Sequence, residues 1–154
     1  MHTGAPKRID WIVSAGKGSE SLFIGETEAE VVTLLGQPQS VSKYETHHYY
    51  LYPKLGLQVD FNPKTRKAKS LLFHRNGVNG YRQSPAETIE GLSPGAAKRA
   101  VLDALGKPDK TKTGTSAGDW FWYQRGIQFD FDEHGVVNVM IIFDPKLSFE
   151  ELCL

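Results

Sequence analysis

The alternation of apolar and polar residues predicts two groups of strands that follow the same order. Residues 57–61 alternate apolar and polar side chains, and residues 127–131 repeat the pattern. A period of two is typical of a half-buried strand. An aromatic run precedes each of these segments and an apolar run follows it, so each group is predicted to form a three-stranded meander. The aromatic runs are residues 49–52 and 120–123, and the apolar runs are residues 69–73 and 136–143.

A short helix is predicted before each meander. Thr27 is followed by acidic residues and then by apolar residues at helical spacing, and this run ends at Gly36. In the second group Ser93 and Pro94 provide an N-cap and a first-turn proline, and the run ends at Gly106. These residues are the usual start and stop signals of a helix. The second helix is predicted to be about one turn longer than the first, because more residues separate its signals.

The two groups are related by an internal repeat. Gly36-Gln37-Pro38 recurs as Gly106-Lys107-Pro108, and blocks in the second and third strands also recur 70 positions later. We infer a duplication and an α+β fold, with two tandem helix-plus-three-stranded-antiparallel-meander repeats packed as one domain. The predicted boundaries are an N-terminal segment at 1–19, repeat 1 at 20–74, a linker at 75–90, repeat 2 at 91–143 and a C-terminal tail at 144–154.

Side-chain alternation assigns one face of the strands to the helices and leaves the other free. Gln128 and Asp130 point away from the apolar residues of their strand. A tight hairpin made by the four residues from Tyr123 to Gly126 would place Trp120 and Trp122 against the helix and Phe121 on the free face. This mixed aromatic and polar face is typical of a protein-binding surface, and ordinary solvent exposure is the alternative. The predicted partner contacts are Leu51, Gln58, Asp60, Phe121, Tyr123, Gln128, Asp130 and Met140.

Composition narrows the function classes. The 154 residues include 18 basic and 18 acidic side chains, so the net charge is zero and a general nucleic-acid binder is disfavoured. The single cysteine, Cys153, excludes an internal disulfide framework and a multi-cysteine metal site. No apolar run approaches the ~18 residues of a membrane helix. No secretory signal stands at the N-terminus. We therefore expect a cytoplasmic protein with neither a nucleic-acid nor a membrane partner.

Few residues are arranged for catalysis. His47 and His48 are adjacent, so on a strand their rings point to opposite faces and cannot share a metal ion. His74 is expected at the surface. Asp60 and Asp130, one from each repeat, could form a carboxylate pair for acid–base chemistry, with polar positions on an exposed sheet as the alternative. We predict no catalytic residue, no metal site and no cofactor, and hence a protein that is not an enzyme.

The first helix region resembles a known family. Residues 25–38, Gly-Glu-Thr-Glu-Ala-Glu-Val-Val-Thr-Leu-Leu-Gly-Gln-Pro, match the pattern G-x-[ST]-x-x-[EQ]-V-x-x-x-[LI]-G-x-P of the SmpA/OmlA outer-membrane lipoprotein domain. Two such units in tandem resemble the beta-lactamase-inhibitor-protein fold, in which a concave sheet presents aromatic and polar residues to a target enzyme. The sequence shows neither the lipidated cysteine of the lipoproteins nor the disulfides of the secreted inhibitors. The resemblance therefore implies a binding scaffold.

The combined prediction is a cytoplasmic protein-binding inhibitor whose sheet face occludes its partner, such as an immunity protein that neutralises a bacterial toxin or effector. Two alternatives stay open. A non-inhibitory adaptor or assembly factor could use the same sheet or the tail around Phe149 and Leu152. A small ligand-binding protein or enzyme could instead use a site between the repeats at Asp60 and Asp130. The oligomeric state is not predicted.

Overall fold

Two short helices lie on one face of a large antiparallel sheet. The computed structural model describes residues 9–114, 118–148 and 151. Positions 1–8, Phe149, Leu152 and Cys153 lie outside the described residues. The helices are α1 (Glu28–Leu35) and α2 (Lys98–Leu105), and the strands are β1 (Ile12–Val13), β2 (Ser40–Lys43), β3 (His48–Tyr52), β4 (Leu57–Phe61), β5 (Ala68–His74), β6 (Glu87–Thr88), β7 (Lys110–Lys112), β8 (Trp120–Tyr123), β9 (Ile127–Phe131) and β10 (Val137–Phe143).

The main sheet has the order β2-β3-β4-β5-β10-β9-β8-β7, and β5 and β10 meet at its centre. In this central pair Leu72 lies opposite Ile141. Gln58 pairs with Leu72 on the outer side of β5, and Gln128 pairs with Ile141 on the outer side of β10. One continuous row of side chains therefore crosses both halves of the sheet. This central row contains Leu51, Gln58, Leu72, Ile141, Gln128 and Trp122.

Each helix is followed by four strands of this sheet, one more than predicted. The additional strands β2 and β7 are short, exposed and polar, so they lack the hydrophobic pattern by which a strand is recognised. They form the two edges of the sheet. Strand β1, within the predicted N-terminal segment, pairs with β6 in a separate two-stranded parallel sheet. Among the described residues, no helix is both long enough and apolar enough to cross a membrane.

The caps of the two helices differ. Thr27 caps α1, as the sequence indicated. Its side chain accepts from the Glu30 backbone, and the Glu30 carboxylate accepts from the Thr27 backbone, which completes a capping box. The predicted cap of α2 at Ser93 is wrong, because Ala97 occupies the N-cap position and forms a β-bridge with Val136. Residues 93–96 form a separate turn, closed by a hydrogen bond from the Ala96 N–H to the Ser93 carbonyl, and Ala97 itself is extended. Both helices consequently have eight residues, and the second is not the longer one.

A buried ionic cluster ties α1 to the sheet. Glu28, the first residue of the helix, is buried, and its carboxylate accepts from the Tyr50 hydroxyl at 2.6 Å and from Arg66 Nε at 2.9 Å. Burial raises the pKa of Glu28, but these hydrogen bonds outweigh the effect and the net pKa is lowered. Burial, with the Glu28 contact, raises the pKa of Tyr50 to about 12. The charged carboxylate is therefore fully compensated where it enters the core.

In strand β8 the side chains that face the helices are the ones that were predicted to face away from them. Phe121 pairs with Phe129 and Tyr123 with Ile127, so Phe121 and Tyr123 lie in the core beneath the helices. The prediction assumed a four-residue connection like residues 53–56 of the first half. The actual connection has three residues and closes at Gly126, which has a φ of 112°. One residue fewer in a hairpin loop exchanges the two faces of a strand.

Met140 was also assigned to the wrong face. Asp60 lies opposite Ser70, whereas Asp130 lies opposite Val139, so Val139 occupies the position that the constant offset had given to Met140. The connection at residues 132–136 is one residue shorter than the connection at 62–67. Met140 consequently points to the helices and is fully buried.

A bulge occurs at the same place in both halves. Lys69 is the extra residue between the Asp60–Ser70 and Phe61–Ala68 pairs. Asn138 is the extra residue between the corresponding Asp130–Val139 pair and its neighbour in β10. An extra residue in one strand redirects its side chain relative to regular alternation. In the first half the bulge brings Lys69 Nζ to 3.8 Å from Asp60 Oδ2, and Asn138 is the bulge residue beside the Asp130–Val139 pair in the second.

The corrected faces make a stability prediction. We expect Phe121→Ala to lower the free energy of unfolding by about 3–5 kcal/mol, because it removes a buried aromatic ring from the main core. Urea denaturation followed by circular dichroism would measure the change. Ile89→Ala, at an apolar residue that is 68% exposed, is the control, with an expected change within about 0.5 kcal/mol. Equal effects of the two substitutions on the free energy of unfolding would mean that Phe121 is not buried in the core.

Candidate partner-binding face

The sheet face opposite the helices carries the residues of interest, and we call it the helix-free face. Its orientation follows from the register, because residues that pair across neighbouring strands share a face. Leu34, Leu35, Leu102 and Leu105 of the helices pack against the other face. The helix-free face consists of Tyr49, Leu51, Gln58, Asp60, Ser70, Leu72, His74, Trp120, Trp122, Gln128, Asp130, Val139, Ile141 and Phe143.

Five of the eight predicted contact residues lie on the helix-free face. Leu51, Gln58 and Asp130 are half-buried there. Asp60 and Gln128 lie deeper, with exposures of 1% and 3%. The other three, Phe121, Tyr123 and Met140, belong to the core on the opposite side and cannot contact a partner in the folded protein.

Asp60 is the centre of a buried polar cluster. His47 Nδ1 lies 2.9 Å from Asp60 Oδ2, and the Ser70 hydroxyl donates to the same oxygen at 3.3 Å. Lys69 Nζ is 3.8 Å from this carboxylate and donates to the Thr46 carbonyl. Burial raises the pKa of Asp60, and the contacts with Lys69, His47 and Ser70 lower it without cancelling the rise. The sequence missed this cluster because the adjacency of His47 and His48 gives no sign of burial, whereas His47 is 6% exposed.

The residue types of this cluster resemble those of a nucleophile with its base, but the geometry differs. In a serine triad the histidine accepts the proton of the hydroxyl, and the carboxylate orients the histidine. Here Ser70 donates directly to Asp60, and no hydrogen bond joins Ser70 to His47 in the described part of the chain. The arrangement satisfies a buried carboxylate and leaves the hydroxyl without a base. His48 points the other way, towards Glu28, as expected for adjacent strand residues.

Asp130 occupies the corresponding position in the second half with far fewer partners. Gln128 Nε2 donates to Asp130 Oδ1 at 2.8 Å, and this is its one hydrogen bond among the described residues. Asn138 and Val139 stand where Lys69 and Ser70 support Asp60. Burial raises the pKa of Asp130, which the hydrogen bond from Gln128 lowers only in part. The second half therefore carries a poorly compensated carboxyl group.

The sheet does not bring Asp60 and Asp130 together as a catalytic pair. Strands β4 and β9 are separated by β5 and β10, which places them three strand spacings apart, or roughly 14 Å. Paired carboxylates of glycoside hydrolases, by comparison, lie about 5–9.5 Å apart. No group of three or more His, Cys, Asp or Glu side chains that could hold a metal ion occurs within the described ranges.

The segment between β5 and α2 contributes an aromatic contact to this face through Tyr81. His74, expected at the surface, is 3% exposed, and its ring stacks on Tyr81 with centroids 3.8 Å apart. The Tyr81 hydroxyl donates to Gln58 Oε1 at 3.4 Å. Burial lowers the pKa of His74 to about 4, so the ring is neutral at physiological pH. The lone aromatic residue in a stretch rich in Gly and Asn was the only sequence signal for this contact.

Aromatic residues form the opposite end of the face. Trp122 stacks on Phe143 with centroids 5.5 Å apart, and Trp120 and Leu147 pack against this pair. Lys110 Nζ lies 5.8 Å from the centroid of the Trp122 ring. This end of the face is thus an aromatic platform bordered by a cation, a combination that suits contacts with both apolar and planar charged groups.

The fold is similar to those of several bacterial proteins of known structure. A DUF4309 family protein (YjgB) from Bacillus subtilis aligns with a TM-score of 0.56 and 14% identity over 83% of this chain and 87% of its own. An extracellular protein containing a SCP domain from Bacillus anthracis gives 0.52 and 11% over 99% of this chain. A cysteine-rich secretory protein from Staphylococcus aureus gives 0.51 and 11% over 88%. This chain spans 58% and 51% of the latter two.

At these identities the likeness extends to the fold alone. No protein-family model and no curated protein matches the sequence. Functional inference therefore depends on the arrangement of the residues in this chain.

The environment of Asp130 leads to a prediction about pH. Because the folded-state pKa of Asp130 is raised, its ionised form destabilises the folded state, and this penalty disappears as the pH falls below the folded-state pKa. We expect Asp130→Asn to increase the free energy of unfolding at about pH 7 and to give a smaller increase at about pH 4. Urea denaturation at both pH values would measure this.

Asp103→Asn is the matched control, since that carboxylate is exposed on α2. A gain at Asp130 that is the same at both pH values, or a loss at neutral pH, would contradict a poorly compensated carboxylate.

Proposed function

We propose that this protein binds another protein through its helix-free face and blocks that protein's activity, as an immunity protein blocks a bacterial toxin or effector. The central row supports the proposal most directly. Over the six inner strands it has the sequence Leu51, Gln58, Leu72, Ile141, Gln128, Trp122 without a charged residue, and Lys110 continues it on the edge strand β7. Leu51, Gln58 and Leu72 are its half-buried members, and the other three are buried beneath the surface that a partner would meet. Aromatic and apolar residues together with amides, and a scarcity of charge at the centre, are typical of the buried part of a protein–protein interface.

The exposed members of this face would make the first contacts. Leu51, Leu72 and Val139 are half-buried and apolar, so a partner could remove their remaining surface from water. Gln58 and Asp130 supply polar groups beside them. Asp60 and His47 have a different role, since their buried hydrogen bonds support the sheet from within.

We also infer that the chain consists of two tandem helix-plus-meander units packed as one domain of the beta-lactamase-inhibitor type. Three observations support this inference. A helix of the same length precedes each set of strands. The bulges at Lys69 and Asn138 fall at corresponding places, and the pairing of β5 with β10 relates the two halves symmetrically. A sheet built in this way has twice the width of either unit, and its helix-free face is wide enough to cover an active-site cleft.

A crosslinking experiment tests whether the face binds. A photoreactive residue at position 51 should capture a partner in lysate of the source cells, and the same residue at position 89 should not, because Ile89 is exposed and follows β6, outside the main sheet. With the captured partner purified, Leu51→Ala combined with Leu72→Ala should weaken binding by about 2–4 kcal/mol in calorimetric titration, and Ile89→Ala should leave it unchanged.

The activity of the purified partner then distinguishes the two protein-binding functions. An inhibitor abolishes that activity at one equivalent, and the double variant restores it at the same concentration. Full binding without loss of activity would replace the inhibitor with an adaptor. Capture at position 89 and not at position 51 would refute binding through this face.

A further inference from the structure

The surroundings of Asp130 are rich in hydrogen-bond acceptors and poor in donors. Gln128 uses its amide nitrogen on Asp130, and its oxygen Oε1 is buried without a partner in the described part of the chain. Asn138 Oδ1, on the bulge opposite Asp130, is likewise buried without one. The Asp130 carboxylate, Gln128 Oε1 and Asn138 Oδ1 are therefore three acceptor groups at neighbouring positions of β9 and β10, and Gln128 Nε2 is the donor that reaches the carboxylate in the described part of the chain. A buried acceptor without a donor costs free energy, so the site favours a ligand that donates several hydrogen bonds.

The corresponding place in the first half shows what such a site requires. There the Asp60 carboxylate is satisfied by the imidazole of His47, the hydroxyl of Ser70 and the ammonium of Lys69. In the second half the residues at the positions of Lys69 and Ser70 are Asn138 and Val139, which supply no cation and no hydroxyl. The donors present within the chain at Asp60 are thus missing at Asp130.

Cations of this chain near the site are engaged elsewhere or lie further out. Arg75 is paired with Asp132 at 3.1 Å, and Lys110 lies over Trp122. Lys112 is on the edge strand β7, two strands away from Asp130. In the described ranges no ion pair to Asp130 is formed. The charge of its carboxylate is available to a group from outside.

We propose that the Asp130 site receives the guanidinium group of an arginine side chain from the bound partner. Arginine offers five donors in a plane, and two parallel N–H groups can pair with the half-buried Asp130 carboxylate. Trp120 is the cross-strand neighbour of Asp130, so an aromatic ring borders the site, and guanidinium groups stack on such rings. This inference rests on the proposed function, because it specifies how that partner is recognised.

A small probe tests the site without the partner. The probe is N-acetyl-arginine methylamide, and its neutral isostere N-acetyl-citrulline methylamide is the reference. In a titration followed by NMR, the arginine probe should shift the side-chain amide resonances of Gln128 saturably, and the citrulline probe should not. Asp130→Asn should weaken the arginine response by about tenfold, whereas Asp103→Asn should leave it unchanged.

Three results would overturn the proposal. One is an equal response to the citrulline probe, which would mean that the site does not distinguish the charged guanidinium from its neutral isostere. Another is an undiminished arginine response in Asp130→Asn. The third is a response to calcium chloride at lower concentrations than to arginine, which would assign the oxygens to a divalent cation.

The captured partner separates this inference from the proposed function. If Leu51→Ala with Leu72→Ala abolishes binding and Asp130→Asn does not, the binding face stands and the arginine site is wrong. If the partner is not bound at all while the arginine probe still responds at Gln128, the site stands and the proposed function is wrong. Weakening of partner binding by about tenfold or more in Asp130→Asn supports both.

Discussion

The pairing of β5 with β10 is the constraint on which the rest of the structure depends. It connects two sets of strands that are otherwise built from local hairpins, and the pairing of Leu72 with Ile141 aligns the polar positions of one half with those of the other. A slip of one residue would send Ile141 and Phe143 to the helices and turn Met140 outward, so the hydrophobic pattern of both strands opposes it. The central row of the helix-free face exists because this register is maintained.

Sequence patterns predicted the helices and strands well, but they predicted less well which side chains of each strand face the helices. Strict alternation in residues 57–61 and 127–131 placed Gln58, Asp60, Gln128 and Asp130 on the correct face. The errors at Phe121 and Met140 have one cause, since each follows from a hairpin connection one residue shorter than the pattern of the first half implied. Alternation within a strand is local, whereas its phase relative to the next strand depends on the loop. The buried contacts of His47 with Asp60 and of His74 with Tyr81 join distant segments, and no local pattern announces them.

The two halves treat equivalent carboxylates differently. Asp60 lies within hydrogen bonds supplied by its own half, which suits a residue that supports the sheet. Asp130 keeps its position in the sheet but lacks that support. Proteins depart from full satisfaction of buried polar groups mainly at functional sites, where the cost is recovered on binding. The contrast between two positions of one chain provides an internal reference for judging which carboxylate serves stability and which serves recognition.

The two edge strands of the sheet determine how copies of the protein can associate at high concentration. Strands β2 and β7 end the sheet, and each exposes backbone groups that another chain could pair with. In β7 both Lys110 and Lys112 flank a single threonine, so a second copy approaching this edge would meet like charge. Strand β2 has one lysine, Lys43, and a 44% exposed Val41, and is the less protected edge. Two copies would therefore associate through β2 of each, and the pair would be closed to further growth because the lysine-bearing β7 strands form its two outer edges.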